Sequence, residues 1–517
     1  MKTLLLSTIS FSLFLFSNSY SQKIIPDNGF GINGKVTIDI DRNDETFSSC
    51  EQKDGKILIA ATANHSNTTG VTTVLRLLSD GSLDPSFGGN GKVSIPFGSE
   101  YSRAFSIAER DDHKILVAAS FDSDKESTIE TYLAVARLNS DGSLDNSFDD
   151  DGMLLISAGT PRSQLKDFIL LPDNKMLLSG ISYDPNIYDF DIAVVKLNED
   201  GSFDNSFNNT GKLIITNSDH SDHLNKLFIR DNGQIMLLGQ ITKDKDYCAV
   251  IRINSNGTLD NSFGENGIVL IPQGVTNDFR DLAVDEDGTI YIAGSYSDNF
   301  FDQMAVISLN DNGSLNANFS DDGLLNFKLS DFHDSFSTIL IKDGKLLLGG
   351  ITEYNSKYNI ALVRLDKSGN FDNTFEDNGI YLFESSTVSE NINQMFFQSD
   401  QKLLLLGGHD ISILSTDGDI LLYRVNYPIT ASLPNLQAFD QDFLIFPNPS
   451  SGIINIKAPR QKGYIEVKDL TGKIHTQFDL SQKPQTFEIS DLSQGIYIVT
   501  LLSEKGEYLK NTKVVVY

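Results

Sequence analysis

The sequence predicts an all-β protein, a seven-bladed β-propeller followed by a small C-terminal β-sandwich. Three observations carry this. A phenylalanine-centred block recurs at spacings of 56 to 61 residues. Each period holds four short runs rich in aliphatic, β-branched and aromatic residues, with turn chemistry between them and no capped helical periodicity. The last 76 residues abandon that period for a different set of strands.

The chain opens with Met1-Lys2, an apolar run from Leu4 to Phe16 and the polar stretch Ser17-Asn18-Ser19-Tyr20-Ser21. This reads as a signal peptide over 1–21. Ser19 and Ser21 are the small residues ahead of the cut, and Gln22 is first in the mature chain. The run is short for a bilayer, and no later segment approaches the ~18 consecutive apolar residues of a span. The mature chain is therefore expected to carry no membrane span. No cysteine follows the run, which disfavours a lipid anchor.

The repeats occupy 22–428. The block Asp80-Gly81-Ser82-Leu83-Asp84-Pro85-Ser86-Phe87 returns as Asp141-Gly142-Ser143-Leu144-Asp145-Asn146-Ser147-Phe148, and with variations at Phe207, Phe263, Phe319 and Phe375. A half copy ends at Phe30. Four residues after each phenylalanine stands a glycine, from Gly34 and Gly91 through Gly379. The second unit shows the grammar: runs 104–108, 114–118, 132–138 and 153–156, the first two joined by Asp111-Asp112-His113. The Asp-Gly and Asn-Gly pairs suit turn positions with positive φ. Four strands per unit is the grammar of a propeller blade.

Counting pieces sets the blade number. The third strand ends in Arg76, Arg137, Lys196, Arg252, Ser308, Arg364 and Arg424, seven copies. The fourth strand also has seven copies, but the first, 35–40, precedes everything else, and none follows Asn426. The simplest closure gives blade seven its outer strand from residues 35–40, removing an open sheet edge. The repeating Arg and the repeating Asp (Asp84, Asp145, Asp204, Asp260, Asp372) can form one ion pair per blade. Ser308 lacks the charge in the unit where Asn316 replaces Asp, so charge and partner vanish together. On blocks such as Arg137-Leu138-Asn139-Ser140-Asp141-Gly142 and Phe263-Gly264-Glu265-Asn266-Gly267, the repeats resemble the delta-60 repeat family of bacterial secreted proteins. That resemblance implies a repeat architecture and transfers no catalytic residue.

Residues 429–441 break the period and read as a linker. From 442 a new pattern begins, with strands at 452–456, 464–467, 486–489, 495–499 and 512–517. Phe446-Pro447-Asn448-Pro449, Gly452, Asp469-Leu470-Thr471-Gly472-Lys473, Leu492-Ser493-Gln494-Gly495-Ile496-Tyr497 and terminal Lys513-Val514-Val515-Val516 resemble the C-terminal sorting domain of the type IX secretion system of Bacteroidota. The resemblance implies that residues 442–517 engage that secretion machinery. It also implies a chain that passes through the periplasm to the cell surface or the medium.

Candidate chemistry is thin. Lys plus Arg number 41 against 70 Asp plus Glu, a net charge of −29 that repels phosphate backbones and excludes nucleic acid as a partner. The Gly29-Phe30-Gly31-Ile32-Asn33-Gly34 spacing mimics a dinucleotide fingerprint, but the predicted strand follows it where a helix is required. Asp219, His220, Asp222 and His223 form the one histidine cluster, a candidate metal site of unknown standing. The acidic turns Asp149-Asp150-Asp151, Asp285-Glu286-Asp287 and Asp321-Asp322 offer oxygens suited to Ca²⁺, the one cofactor weighed. Their simpler role is to cap turn N–H groups. Cys50 and Cys248 lie in blades one and four and are expected as free buried thiols. No catalytic or cofactor-binding residue is singled out.

Two functional classes remain. One is a non-catalytic binding protein whose rigid disc presents variable loops, such as Ala63–Thr72, Asp122–Glu130 and Ser182–Phe190, to an extracellular glycan or protein. The other is a propeller hydrolase or lyase acting on an extracellular glycan or other polymer. An unrepeated cluster of carboxylates, His or Arg at one channel mouth favours the second, and an all-repeat lining favours the first.

Overall fold

This structure, a computed structural model, describes residues 22–428 except 67–68, 99–100, 126–127, 161, 185–188, 217–220, 273–275, 298–300, 377, 384–387 and 410–417. From 444 to 516 it describes the strands with part of their connections. The expected signal peptide and linker lie outside the described residues. The chain divides at Ile429/Thr430 into two compact units.

In the first unit six periods become four-stranded antiparallel sheets and the seventh a five-stranded one, seven sheets among the described residues. Blade two, for example, runs Ser102–Glu109, Ile115–Lys125, Thr128–Leu138 and Met153–Ile156. The inner strands of neighbouring blades abut in chain order, and blade seven (Glu390–Phe397) abuts blade one (Glu45–Glu51), so the blades form a ring. Middle strands are covered on both faces. Ile57 and Ile59 pack with Leu404 and Leu422 of blade seven, whereas Leu58 and Ala60 pack with Val117 and Ala134 of blade two. Burial on both faces is why these strands read as near-continuous apolar runs rather than alternating ones.

The repeating block clips one blade to the next. Arg137 Nε donates to Asp145 Oδ2 at 2.6 Å, its guanidinium lies 4.7 Å from the buried Phe148 ring, and Nη1 donates to the Glu199 carbonyl of blade three at 3.1 Å. Arg252 repeats this with Asp260, Phe263 and the Asp311 carbonyl. Burial pushes the Asp145 carboxyl up, but Lys114, Ser147 and Arg137 outweigh it and hold the group well below the usual carboxylate range. Gly142 turns at φ +92°, and a Cβ there would stand 2.9 Å from the Phe87 ring of the preceding blade. In blade five Asn316 Nδ2 bonds Ser308 Oγ at 3.1 Å. Opposite Ser308 stands Tyr291, where the other blades carry Leu or Met across from the charge. Tyr291 meets Phe319 edge-on and donates to the Lys367 carbonyl of blade six at 3.4 Å, restoring the link by other means.

The two ends of the array meet in blade seven. Lys35–Ile38 pairs with Asp419–Asn426, Lys35 opposite Tyr423 and Ile38 opposite Ile420. The strand is two residues shorter than 35–40, because Asp44 Oδ2 accepts the Ile40 and Asp41 N–H groups and turns the chain away. Ile25–Pro26 joins the same partner strand at Asn426 and Val425. Arg424 bonds Asp27 at 2.7 Å, stacks 4.4 Å from Phe30 and reaches the Ser79 carbonyl of blade one at 2.6 Å. The seam is therefore closed by the same clip as the junctions built on Arg76, Arg137 and Arg252.

The second unit has two sheets, Leu444–Phe446, Ile454–Lys457, Thr486–Ile489 and Ile474–Asp479, Gly463–Asp469, Gly495–Ser503, Tyr508–Val516. Ile454 and Ile456 share one core with Ile465, Val467, Val499 and Val514, a small sandwich.

Two outcomes follow from the seam. Asp27→Ala should destabilise the disc by about 2 kcal/mol, as Asp145→Ala should, because each leaves a buried guanidinium unpaired; an unchanged melt would contradict the clip. Burial, with Asp39 and Asp419 nearby, raises Asp44 to about 6, and its Oδ1 is buried without a hydrogen-bond partner among the described residues. The folded state thus holds a proton that the unfolded chain, near 3.9, releases. The contribution of Asp44 falls as pH rises from about 4 to about 6 and stays low above that. Asp44→Asn should raise Tm at neutral pH and lose that advantage near pH 4, by thermal melts across the range.

Candidate functional site

The seven inner strands converge on a cavity of about 740 Å³ at the centre of the ring. Each inner strand carries a β-bulge at its middle, a register shift that leaves one extra residue unpaired. The seven extra residues are Phe47, Phe105, Lys166, Asn225, Arg280, Ser337 and Asn393, and all line the cavity. The next residues in each strand, Ser48, Ser106, Asp167, Lys226, Asp281, Thr338 and Gln394, line it as well.

A bulge frees backbone N–H groups, which need acceptors in a buried setting. Side chains of the preceding blade supply several. Asp167 Oδ2 accepts Leu227 N at 3.1 Å, Asp281 Oδ2 accepts Ile339 N at 3.0 Å, and Gln394 Oε1 accepts Ser49 N at 2.7 Å. Ser48 Oγ accepts Ile107 N at 3.4 Å. Asp167 Oδ1 also takes Phe168 N and the Ser106 hydroxyl, and Asp281 Oδ1 takes Leu282 N. Lys226 lies 3.4 Å from Asp167, whose charge holds the ammonium above its ordinary value against burial. Burial raises the Asp281 carboxyl, opposed by Lys226 and the Ile339 N–H. The channel therefore does hold an unrepeated charged set, Asp167, Lys226 and Asp281. Its oxygens are engaged in holding adjacent blades together.

Around that set the two arginines pair. Arg280 meets Asp278 at 2.7 Å, and Arg103 meets Glu45 at 2.8 Å while lying 4.8 Å from the Phe47 ring. Phe47 and Phe105 stack with centroids 5.6 Å apart. The inner strands begin beside the hairpins of strands two and three, since Glu45 pairs with Thr62 and Thr62 with Thr72. The variable segments thus stand at that end of the channel. Their tips at 67–68, 126–127 and 185–188 lie outside the described residues.

Other candidates resolve locally. Gly29 to Gly34 forms the turn carrying buried Phe30 and leads into a strand. Asp219 and His220 lie outside the described residues. Asp222 is buried, its N–H bonded to the Phe190 carbonyl, and His223 is exposed. Asp151, Asp287 and Asp322 cap the N–H groups of Met153, Thr289 and Leu324. Asp285 caps Glu286 and pairs with Lys367 of blade six. Among the described residues no group of three or more His, Cys, Asp or Glu is arranged to hold a metal ion. Neither cysteine is in a disulfide; Cys248 is buried, whereas Cys50 is partly exposed on the inner strand, contrary to the expected burial of both. Burial pushes the Cys50 thiol up to about 12. The lining residues were not singled out in sequence. The available signal was a column of the repeat alignment without consensus, running Phe, Phe, Lys, Asn, Arg, Ser, Asn and followed in every blade by a polar or charged residue.

Comparison with known proteins fits this geometry. Residues 444–517 match the secretion system C-terminal sorting domain. A β-propeller domain of unknown function, DUF5122, matches at 52–87, 111–148, 171–207, 232–263 and 342–375. Each match ends on a repeat phenylalanine, and blade five, where Arg and Asp are lost, is not among them. The sequence has no significant match among curated proteins. PorZ, a surface component of the type-IX secretion system of Porphyromonas gingivalis, is similar at 10% identity and a TM-score of 0.38, over 93% of this chain and 60% of that one. The polysaccharide lyase Uly1 is similar at 9% identity and 0.48, over 74% of this chain and 90% of that one. The propeller domain of the Trilobed protease from Pyrococcus furiosus is similar at 10% and 0.38, over 76% and 99%. No helix of the described residues is long and apolar enough to cross a membrane. The sorting domain marks the chain for export to the cell surface or the medium.

Calorimetric titration of the exported chain with Ca²⁺ should give no tight, saturable isotherm, since these acidic side chains already cap turns. A tight isotherm would make them a cation site.

Proposed function

We propose that this β-propeller, exported under a type IX sorting domain, is a non-catalytic binding protein of the cell surface or medium. Its contact surface is the channel mouth with the variable loops around it. One observation supports this above the rest: the buried channel carboxylates, Asp167 and Asp281, have their oxygens engaged by backbone N–H groups of the next blade. A general acid or base must be able to exchange a proton with substrate, and releasing these oxygens would unpin the ring. The alternative, a hydrolase or lyase acting on an extracellular polymer, draws support from the unrepeated Asp167, Lys226 and Asp281 set.

A glycan and protein array probed with the exported chain, followed by product analysis on every bound polymer, separates the two. Saturable binding without new chain ends is expected; product formation that is lost in Asp281→Asn would overturn the reading. Deleting residues 442–517 should leave the disc folded, ligand-competent and absent from the cell surface. Wild-type amounts at the surface would make the C-terminal unit something other than an address.

A further inference from the structure

The bulge ring differs in charge from the rest of the chain. The sequence carries 70 acidic against 41 basic residues, yet none of the seven ring positions is acidic and two are cationic. Arg280 has its counter-ion in Asp278, as Lys226 has Asp167 and Arg103 has Glu45. Lys166 has none. Among the described residues no carboxylate, carbonyl or hydroxyl bonds its ammonium, which stands half-buried in the cavity wall 5.9 Å from the Phe105 ring. Burial and the nearby Arg103 charge pull it below the ordinary lysine value. A partly desolvated ammonium without a partner is costly, and an anion entering the cavity removes that cost.

The rest of the ring narrows the anion. Asn225 and Asn393 each donate one amide proton to the Phe279 and Thr46 carbonyls, both at 2.7 Å, which fixes the amides and leaves their oxygens as acceptors. Ser337 adds a hydroxyl, and the stacked Phe47 and Phe105 supply an apolar wall beside Lys166. The volume, about 740 Å³, lies within the range of small-ligand sites. A ligand with one acid group, several hydroxyls and an apolar ring face suits this set. We infer that the bulge ring is a subsite for an acidic sugar, its carboxylate on Lys166, its hydroxyls on the Asn oxygens and its ring against the phenylalanines. The inference rests on the binding reading above and adds the ligand class.

The test titrates the exported chain with digalacturonate, its neutral counterpart digalactose and sodium acetate. Digalacturonate should bind saturably and far more tightly than either. Lys166→Leu should weaken it at least about tenfold, the loss of one charge-assisted hydrogen bond, with Tm unchanged or raised because no internal hydrogen bond or ion pair is lost. In the wild-type chain, lysine acylation mapped by mass spectrometry should slow at Lys166 with digalacturonate and not with digalactose. Unaltered affinity in Lys166→Leu, unprotected Lys166, or equal binding of digalactose would overturn the acidic subsite and leave the binding reading standing. Acetate binding as tightly as digalacturonate would reduce the site to a bare anion hole and overturn the sugar assignment. Turnover of digalacturonate would instead overturn the binding reading.

Discussion

The structure depends on one clip: an arginine held by an aspartate, laid on a buried phenylalanine and bonded to a carbonyl of the next blade. Each part serves a different joint. The Arg137–Asp145 pair neutralises two charges inside one blade, Phe148 fills the inter-blade core, and the bond to Glu199 sets the angle to the neighbour. Removing either charge alone strands the other, whereas removing both with a change of shape is tolerated. Blade five shows this, where Tyr291, Ser308 and Asn316 replace the set and still reach the Lys367 carbonyl.

Repetition of the clip leaves the channel free to vary. The ring is held from outside, so the inner strands can bulge, and the bulges free N–H groups that unlike residues in different blades cap. Asp167, Asp281, Gln394 and Ser48 perform one task with three kinds of acceptor. An unrepeated residue in the channel is therefore not by itself a sign of chemistry. The group left without an internal role is Lys166, which is why ligand recognition is assigned to it.

Much of the architecture was legible because repetition makes it so. The period, the four-strand grammar and the joint loss of charge at Ser308 and Asn316 are properties of columns, and columns survive noise. Asp27 escaped notice although it stands three residues before Phe30, as Asp84 does before Phe87. The half copy had lost the flanking block that identified the other aspartates. The bulges were invisible for another reason. Inner strands pack against a blade on each side, so one extra residue disturbs no apolar alternation, and the ring it creates has no consensus to detect. Cys50 was expected buried from the apolar residues at matching positions, and it packs, partly exposed, against the core between blades one and two.

The seam between the chain ends is a junction like those of the other arginine blades, making the disc one closed unit. Native-state hydrogen exchange at four amides tests it most directly. Asp27 N bonds the Arg424 carbonyl at 2.9 Å and Arg424 N the Gly34 carbonyl at 2.8 Å, matching Asp145 to Arg137 at 2.8 Å and Arg137 to Gly152 at 2.9 Å. If the seam is an ordinary junction, all four amides should exchange at similar rates through global opening. Much faster exchange at Asp27 and Arg424 than at Asp145 and Arg137 would show that the ring opens at its seam and is not one closed unit.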